Sequence, residues 1–203
     1  FMVDLKGNLI YTDFKEKDYA TNLKNGVYSS TGIARAYKKA LSINQGELAF
    51  DDFATYEPSY NSAASFISTP IVVKGVKKGV LIFQMPVDRI NTIMSFNGKY
   101  KDAGLGESGE SYLIGEDYKM RNNSRFIKNI KDPVIKKLGS TIGVWKVKTD
   151  STTKVITGSN KKGKWIIDDY RGVSVLSVYN TIELFGQAKW AIIAEIDEEE
   201  ALE

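Results

Sequence analysis

The sequence predicts an α+β protein made of two tandem lobes, each built on an antiparallel sheet with inserted helices. The length of 203 residues fits two small domains better than one. The strand, turn and strand of the first fourteen residues recur after a glycine-rich hinge at Gly104, Gly106 and Gly109. Each half also ends in a hairpin, and Val87-Asp88 matches Ile196-Asp197 at an offset of about 109 residues, as expected of a duplication.

The composition is that of a globular protein, with 42% hydrophobic and 26% charged residues. The sequence contains no cysteine and no histidine, which excludes thiol nucleophiles, Ser-His triads, His-ligated haem and the usual zinc sites. Most of the familiar enzyme classes are excluded with these sites, and we expect no enzyme activity, no catalytic residue, no metal and no cofactor. The net charge of +3 is spread over turns, so no nucleic-acid partner is expected.

The first lobe is predicted to begin with a short hairpin and a polar loop, Lys15–Ser30, that contains one helical turn. Apolar residues then recur every three or four positions from Ile33 to Leu41, which predicts a helix capped by Ser30 or Thr31. An irregular loop is predicted at Ala54–Ala63. The remaining predicted elements are strands at Glu47–Phe53, Ser65–Val73 and Val80–Asp88 and a helix at Val87–Met94.

The second lobe is predicted to start with the strand Tyr112–Ile114. A short helix follows, with Asp132 as N-cap, Pro133 at its first position and Gly139 after its end. Further strands are predicted at Val144–Lys148, Val155–Thr157, Lys164–Asp168, Val173–Tyr179 and Ala188–Ile196. The predicted boundaries are 1–95 for the first lobe, 96–109 for the hinge, 110–197 for the second lobe and 198–203 for an exit segment.

With about five strands and helices inserted between the second and third strands, each lobe has a PAS-like layout. Such a fold holds a small ligand between one sheet face and the inserted helix and loops.

Five segments spread over the whole chain match the pattern of a known family. They are FMVDLKGNLIYTDFKEKDYATNL, VLIFQMPVDRINTI, GLGESGESYLIGEDYKMRNNSRF, DDYRGVSVLSVY and KWAIIAEIDEEEA. On these segments the chain resembles a double Cache domain, the sensor module of bacterial methyl-accepting chemotaxis proteins and transmembrane histidine kinases. The resemblance implies a periplasmic, extracytoplasmic domain in a receptor of the cell membrane, whose membrane-distal lobe binds a small ligand.

The sequence departs from this family in two places. The family's long N-terminal helix has no counterpart before Phe1, so we expect the isolated chain to be monomeric or weakly dimeric, whereas the full-length receptor is expected to be dimeric. The family's amino-acid signature, an Arg two residues before Trp-Tyr, is present only as Arg35-Ala36-Tyr37.

The adjacent acids Asp51 and Asp52 lie on a predicted strand, where neighbouring side chains point to opposite faces. They cannot form a catalytic pair, and the same holds for Asp168 and Asp169. One acid of the first couple, taken as Asp52, should face inward and needs a partner. A ligand ammonium or amide, a backbone N–H or a tyrosine hydroxyl would each serve.

The other predicted ligand contacts are small hydroxyls on one strand, tyrosines near it and two cations. Tyrosines supply walls and phenol donors, and an arginine or lysine can clamp a carboxylate. The alternatives are that the tyrosines only cover the sheet and that the cations are solvated. The full predicted set is Tyr11, Lys15, Arg35, Asp52, Tyr56, Tyr60, Ser65, Phe66 and Ser68.

We expect the ligand to be a small metabolite, a short carboxylate or an amino acid, bound in the first lobe. The second lobe is expected to fill its interior with Trp145, Trp165 and Trp190, and the segment Met120–Phe126, with Arg121 and Arg125, is interpreted as structural. The alternative functions are a kinase rather than a chemoreceptor output, a protein-interaction or spacer module without a ligand, and a carboxylate-based hydrolase.

Overall fold

The computed structural model describes residues 1–203, which form two compact units, Phe1–Met85 and Pro86–Glu203. The division falls about ten residues before the predicted end of the first lobe. The helix at Val87–Met94 therefore belongs to the second unit, whereas the sequence analysis assigned it to the first lobe.

Unit 1 contains one helix and a five-stranded antiparallel sheet in the order β2-β1-β5-β4-β3. Its elements are β1 (Met2–Asp4), β2 (Leu9–Tyr11), α1 (Gly32–Ser42), β3 (Ala49–Tyr56), β4 (Ser62–Val73) and β5 (Val76–Gln84). The buried face of α1 packs on the sheet through Ile33, Ala36, Tyr37 and Ala40, as their spacing predicts. The polar segment between β2 and α1 is a loop with several turns, as expected.

The predicted irregular loop at Ala54–Ala63 is wrong for half of its length, because five of its ten residues belong to the sheet. Strand β3 continues to Tyr56, and β4 already begins at Ser62, with Thr55 opposite Ala63. Only a 3-10 turn at Glu57–Ser59 and two residues of positive φ separate the strands. Burial of Tyr56 stabilises the longer pairing, while Pro58 and Asn61 lie in the short turn that remains.

Unit 2 has a four-stranded antiparallel sheet in the order β6-β9-β8-β7. Its strands are β6 (Glu110–Ile114), β7 (Lys162–Asp168), β8 (Ser174–Leu184) and β9 (Ala188–Asp197). Its helices are α2 (Val87–Met94), α3 (Pro133–Leu138), α4 (Asp150–Thr157) and α5 (Glu198–Ala201). Helix α3 has the predicted ends, since Asp132 accepts from the amides of Val134 and Ile135, and Gly139 takes a φ of 62°.

Two predicted strands of the second lobe are wrong. Val155–Thr157 is the last turn of α4, because Thr149 and Thr152 form a reciprocal capping box that starts a helix there. Helix α4 buries Ser151, Thr152 and Val155 on one face, whereas the adjacent residues Ser151 and Thr152 would point to opposite faces of a strand. Val144–Lys148 contributes only an isolated bridge from Lys146 to Lys119. Unit 2 consequently has four strands.

The two sheets share a topology, which confirms the predicted α+β class with tandem PAS-like lobes. The order β6-β9-β8-β7 repeats β1-β5-β4-β3, so unit 2 lacks only a counterpart of the edge strand β2. The longest helix, α1, has 11 residues, and none of the helices has the length and apolar character needed to cross a membrane.

Candidate functional site

The main candidate site lies on the α1 side of the unit 1 sheet, where the polar loop before α1 meets the end of β3. Asp18, from the loop, is fully buried. The hydroxyl of Tyr56, also buried, donates a hydrogen bond of 2.5 Å to Oδ2 of Asp18. The other carboxylate oxygen, Oδ1, is buried and has no hydrogen-bond partner. A buried carboxylate oxygen without a donor is costly, and it marks a place where a ligand could supply one.

The electrostatics of this pair reflect its burial. Burial raises the pKa of Asp18, and the hydrogen bond from Tyr56 opposes that rise in part. The Asp18 amide, the charge of the Phe1 ammonium and the Tyr19 amide also favour the ionised form, although Oδ1 itself has no hydrogen-bond partner. Burial, followed by the hydrogen bond to Asp18, raises the pKa of Tyr56 well above its usual range, so its hydroxyl stays a donor.

Aromatic rings surround the Asp18–Tyr56 pair. The ring of Tyr56 packs edge-on against Phe66 with centroids 5.2 Å apart, and Tyr28 lies 6.4 Å from Tyr56. Phe1 packs edge-on against the other side of Phe66 at 6.2 Å. The site thus combines one acidic group with apolar aromatic walls, an arrangement suited to a small ligand with a positive end.

Three consecutive loop residues are tied to the end of β3 and the turn after it, and we call these three contacts the latch. Ser59 donates to Glu16 at 3.3 Å, Lys17 pairs with Glu57 at 2.5 Å, and Asp18 accepts from Tyr56. A surface cleft of about 510 Å³ lies at the latch, lined by residues 15–17 and by Glu57, Pro58, Tyr60 and Asn61. The latch therefore holds the loop that carries Asp18 against the end of β3, which carries Tyr56.

The predicted carboxylate clamp is not available at this site. The guanidinium of Arg35 is bidentate on Asp51, with Nη2 to Oδ1 at 2.8 Å and Nε to Oδ2 at 3.0 Å. Lys39 also bonds Asp51, at 3.2 Å. The inward acid is consequently Asp51 and not Asp52, which is only half-buried, and the strand alternation was assigned one residue out of phase.

The remaining predicted residues are dispersed. Tyr11 and Tyr60 are 52% and 86% exposed, and Lys15 is exposed at the cleft. Ser68 faces α1 with Phe66 but donates to the Ala36 carbonyl at 2.8 Å. Ser65 is buried without a partner on the opposite face of β4, because strand side chains alternate.

Sequence reasoning found Tyr56 and Phe66 but missed Asp18, Tyr28 and Glu57. Asp18 lies in a polar loop, where an acid is ordinarily solvated. The composition of that loop therefore gave no sign that Asp18 is buried. The signal present was the apolar residue Leu23, fully buried within the same polar stretch, which indicates that the loop is packed on the core.

The predicted structural role of the Arg121 and Arg125 segment matches its contacts. Arg121 is buried, pairs with Asp117 at 2.9 Å and donates to the Lys119 carbonyl. Arg125 bonds the carbonyls of Gly106 and Gly109 and stacks 4.1 Å from the Tyr100 ring centre. The expectation for the tryptophans is wrong in one case, since Trp165 lies on the edge strand β7 and is 49% exposed.

Comparison with known proteins gives matches at the level of structure only. No family model and no curated protein matches the chain. The ligand-binding domain of the Pseudomonas fluorescens chemoreceptor CtaA, in complex with L-leucine, superposes with a TM-score of 0.57 at 15% identity, over 100% of this chain and 71% of that one. The chain has the fold of chemoreceptor ligand-binding domains.

Two further solved structures share this fold. The ligand-binding domain of the Pseudomonas aeruginosa amino-acid chemoreceptor PctB, in complex with L-Arg, has a TM-score of 0.58 at 14% identity, over 98% of this chain and 71% of that one. The extracellular domain of a putative histidine kinase has a TM-score of 0.57 at 14% identity, over 100% of this chain and 69% of that one. At this identity the likeness establishes the fold, as the sequence resemblance implied.

Proposed function

We propose that this chain is the extracytoplasmic ligand-binding domain of a transmembrane receptor, a chemoreceptor or a sensor histidine kinase. Its ligand is a small metabolite with an ammonium group, bound in unit 1, and the domain has no catalytic activity of its own. The observation that carries the proposal is the buried Asp18 carboxylate with one oxygen unpaired. The fold supports it, because the structural neighbours are sensor domains and not enzymes.

The chemistry of the site favours the positive end of the ligand. A ligand ammonium would donate to Asp18 Oδ1, which has no partner, and its charge would match the ionised carboxylate. Tyr56, Tyr28 and Phe66 supply faces and edges that suit a cation and a short apolar chain. CtaA and PctB were solved with L-leucine and L-Arg, both of which carry an ammonium group.

A carboxylate group on the ligand would contribute less to binding than its ammonium group. Arg35 and Lys39 are both engaged by Asp51, so they are not placed to bind an anion without breaking that cluster. We therefore favour amines and amino acids over the plain short carboxylates that the sequence also suggested.

Binding becomes a signal only if the ligand prefers one conformation of the domain. The latch gives a structural reason for such a preference. A ligand bound at Asp18 would draw the loop toward β3 and favour the closed latch, whereas the empty site leaves a buried charge that favours opening.

The test is a thermal-shift and calorimetric screen of amines, amino acids and matched acids that lack the amine. We expect amines or amino acids to raise the melting temperature, and the matched acids to have no effect. Asp18→Asn should weaken binding by about tenfold to a hundredfold, since it removes a hydrogen bond to a charged group.

The control is Asp13→Asn, an exposed acid of the same loop, which should bind like the parent. If no small molecule shifts the melting temperature while a protein partner does, the domain is an interaction module and the proposal is wrong. If acids without an amine bind and Asp18→Asn has no effect, the ammonium assignment fails.

A further inference from the structure

Unit 2 contains two buried glutamates on neighbouring strands that the proposed ligand site does not use. Glu110 on β6 is directly opposite Glu195 on β9, and each is only 2% exposed. Directly opposite side chains share one face of the sheet, with Cβ atoms about 5 Å apart. Two carboxyl groups are therefore held side by side in the interior, on the face that packs against α4 through Ser177 and Ser151.

Every carboxyl oxygen of this pair accepts a hydrogen bond from a neutral group. Glu195 accepts from Tyr112 at 2.7 Å and from Ser177 at 2.8 Å. Glu110 accepts from the Tyr170 hydroxyl on one oxygen, and on the other from Ser124 at 3.2 Å and the Arg125 amide at 3.0 Å. These donors hold the pair in place without supplying a positive charge.

The guanidinium groups nearest to the glutamate pair bond to other residues. The guanidinium of Arg171 pairs with Asp169 at 2.6 Å and with Asp197 at 2.5 Å. That of Arg125 bonds two glycine carbonyls and stacks on Tyr100. The titratable and charged groups around the pair are Tyr112, Tyr170, Asp169, Arg171 and Arg125. No ion pair neutralises either glutamate, so ionising both places two like charges side by side away from water.

We propose that the Glu110–Glu195 pair is a proton-binding site that keeps one proton at a pH where exposed glutamates are ionised, giving unit 2 a response to pH that is separate from the ligand site of unit 1. The geometry favours retention of one proton, because two neighbouring carboxylates that are both buried are costly to ionise together. The electrostatics agree. Burial raises the pKa of Glu195 to about 7, Asp169 and Glu110 add to the rise, and Tyr112 and Ser177 oppose it.

The proton has a route by which it changes the contacts of a helix. When Glu195 is ionised, Ser177 donates to it. When a proton from solvent binds to the same oxygen, the carboxyl O–H donates to Ser177, and the Ser177 hydrogen turns to Ser151 on α4, 2.8 Å away. Protonation thus reverses the direction of a buried hydrogen-bond chain between β9 and α4.

The experiment is a carbon-13 NMR titration of the glutamate carboxyl groups in the whole chain. In the parent protein, one glutamate should titrate with a midpoint near pH 7, and Glu195→Gln should remove that signal. Glu110→Gln should lower the midpoint, because it removes the neighbouring charge. Tyr112→Phe should raise it, because it removes a donor to the ionised form. Opposite shifts from two substitutions beside the same group are not expected of a purely structural role.

The matched control is Glu183→Gln, an exposed glutamate on β8, which should leave the midpoint unchanged. The parent titration decides the matter even if a variant fails to fold. If every glutamate of the parent titrates near its ordinary value of 4.5, or if Glu195→Gln leaves the signal near pH 7 in place, the proposal is wrong.

Discussion

The two units share a sheet topology and differ in how they treat a buried acid. Each places a carboxylate and a tyrosine hydroxyl on the helix side of its sheet, Asp18 with Tyr56 in unit 1 and Glu195 with Tyr112 in unit 2. In unit 1 one carboxylate oxygen is left without a donor. In unit 2 every oxygen of Glu110 and Glu195 has one.

This difference suggests different roles for two units that share one topology. A buried acid with an unpaired oxygen is poised for a donor that arrives from outside, which is the condition for binding a ligand. A buried acid pair whose oxygens each already have a donor has less need of a donor from a ligand, but it can still take up a proton. On the two proposals above, an acid paired with a tyrosine serves as a ligand site in unit 1 and as a proton site in unit 2.

The largest expected effect concerns the pH dependence of stability. The pKa of Glu195 in the folded state, about 7, lies above its ordinary value of 4.5. Protonated Glu195 therefore contributes to the free energy of unfolding in full below pH 4.5, and this contribution is lost as the pH rises through 7. A difference of about 2.5 in pKa corresponds to about 3 kcal/mol.

The measurement is urea unfolding of the parent and of Glu195→Gln between pH 4.5 and 8. The free energy of unfolding of the parent should fall relative to the variant by about 3 kcal/mol across this range. Asp4 and Glu57 have lowered pKa values and also make stability depend on pH. Both proteins contain them, so their contributions cancel when the free energy of the variant is subtracted from that of the parent. Parallel curves would show that unit 2 does not titrate as proposed.

The next effect compares the two tyrosines directly. Tyr112→Phe should lower the free energy of unfolding at pH 8 by about 2 to 3 kcal/mol, because it strips a donor from a buried ionised acid. Tyr56→Phe should cost less, about 1 to 2 kcal/mol, because Asp18 belongs to a loop outside the sheet, whereas Glu195 lies on the inner strand β9. At pH 5 the cost for Tyr112→Phe should shrink as Glu195 becomes protonated.

Tyr60→Phe is the control for both substitutions, since Tyr60 is exposed and its removal should leave stability unchanged. Equal costs for the two buried tyrosines, with no dependence on pH, would remove the distinction between the units.

The sequence predicted the fold well where patterns are local and strong. The 3.6-residue periodicity from Ile33 to Leu41 and the Asp132 and Gly139 caps each specify an element without tertiary help. Val155–Thr157 failed because three β-branched or apolar residues favour a strand, whereas the decisive signal was the Thr149–Thr152 capping box that precedes them.

The site was less predictable, because burial of a polar residue depends on what packs over it. Asp51 and Asp52 could be assigned to opposite faces from the sequence, but which one faces inward depends on the strand register, and the bulge between Asp51 and Ala54 alters it. The residue types of Asp18, Glu110 and Glu195 do not indicate burial, because acidic side chains are ordinarily solvated.

Removing the Lys17–Glu57 contact of the latch should have the smallest effect on stability. It is also the sharpest test of the ligand site. Lys17 and Glu57 are exposed, so Lys17→Ala should leave the melting temperature nearly unchanged. It should nevertheless speed dissociation of the ligand found in the screen several-fold, because it frees the loop that carries Asp18.

Stopped-flow dissociation at low and high salt would measure this effect, with Lys78→Ala, which replaces an exposed lysine on strand β5, as the control. Salt should speed dissociation from the parent, because it screens the Lys17–Glu57 pair, and should have less effect on Lys17→Ala. If both variants release the ligand at the parent rate, the loop does not gate the site. The unpaired oxygen of Asp18 would then have to be reached from another side of unit 1.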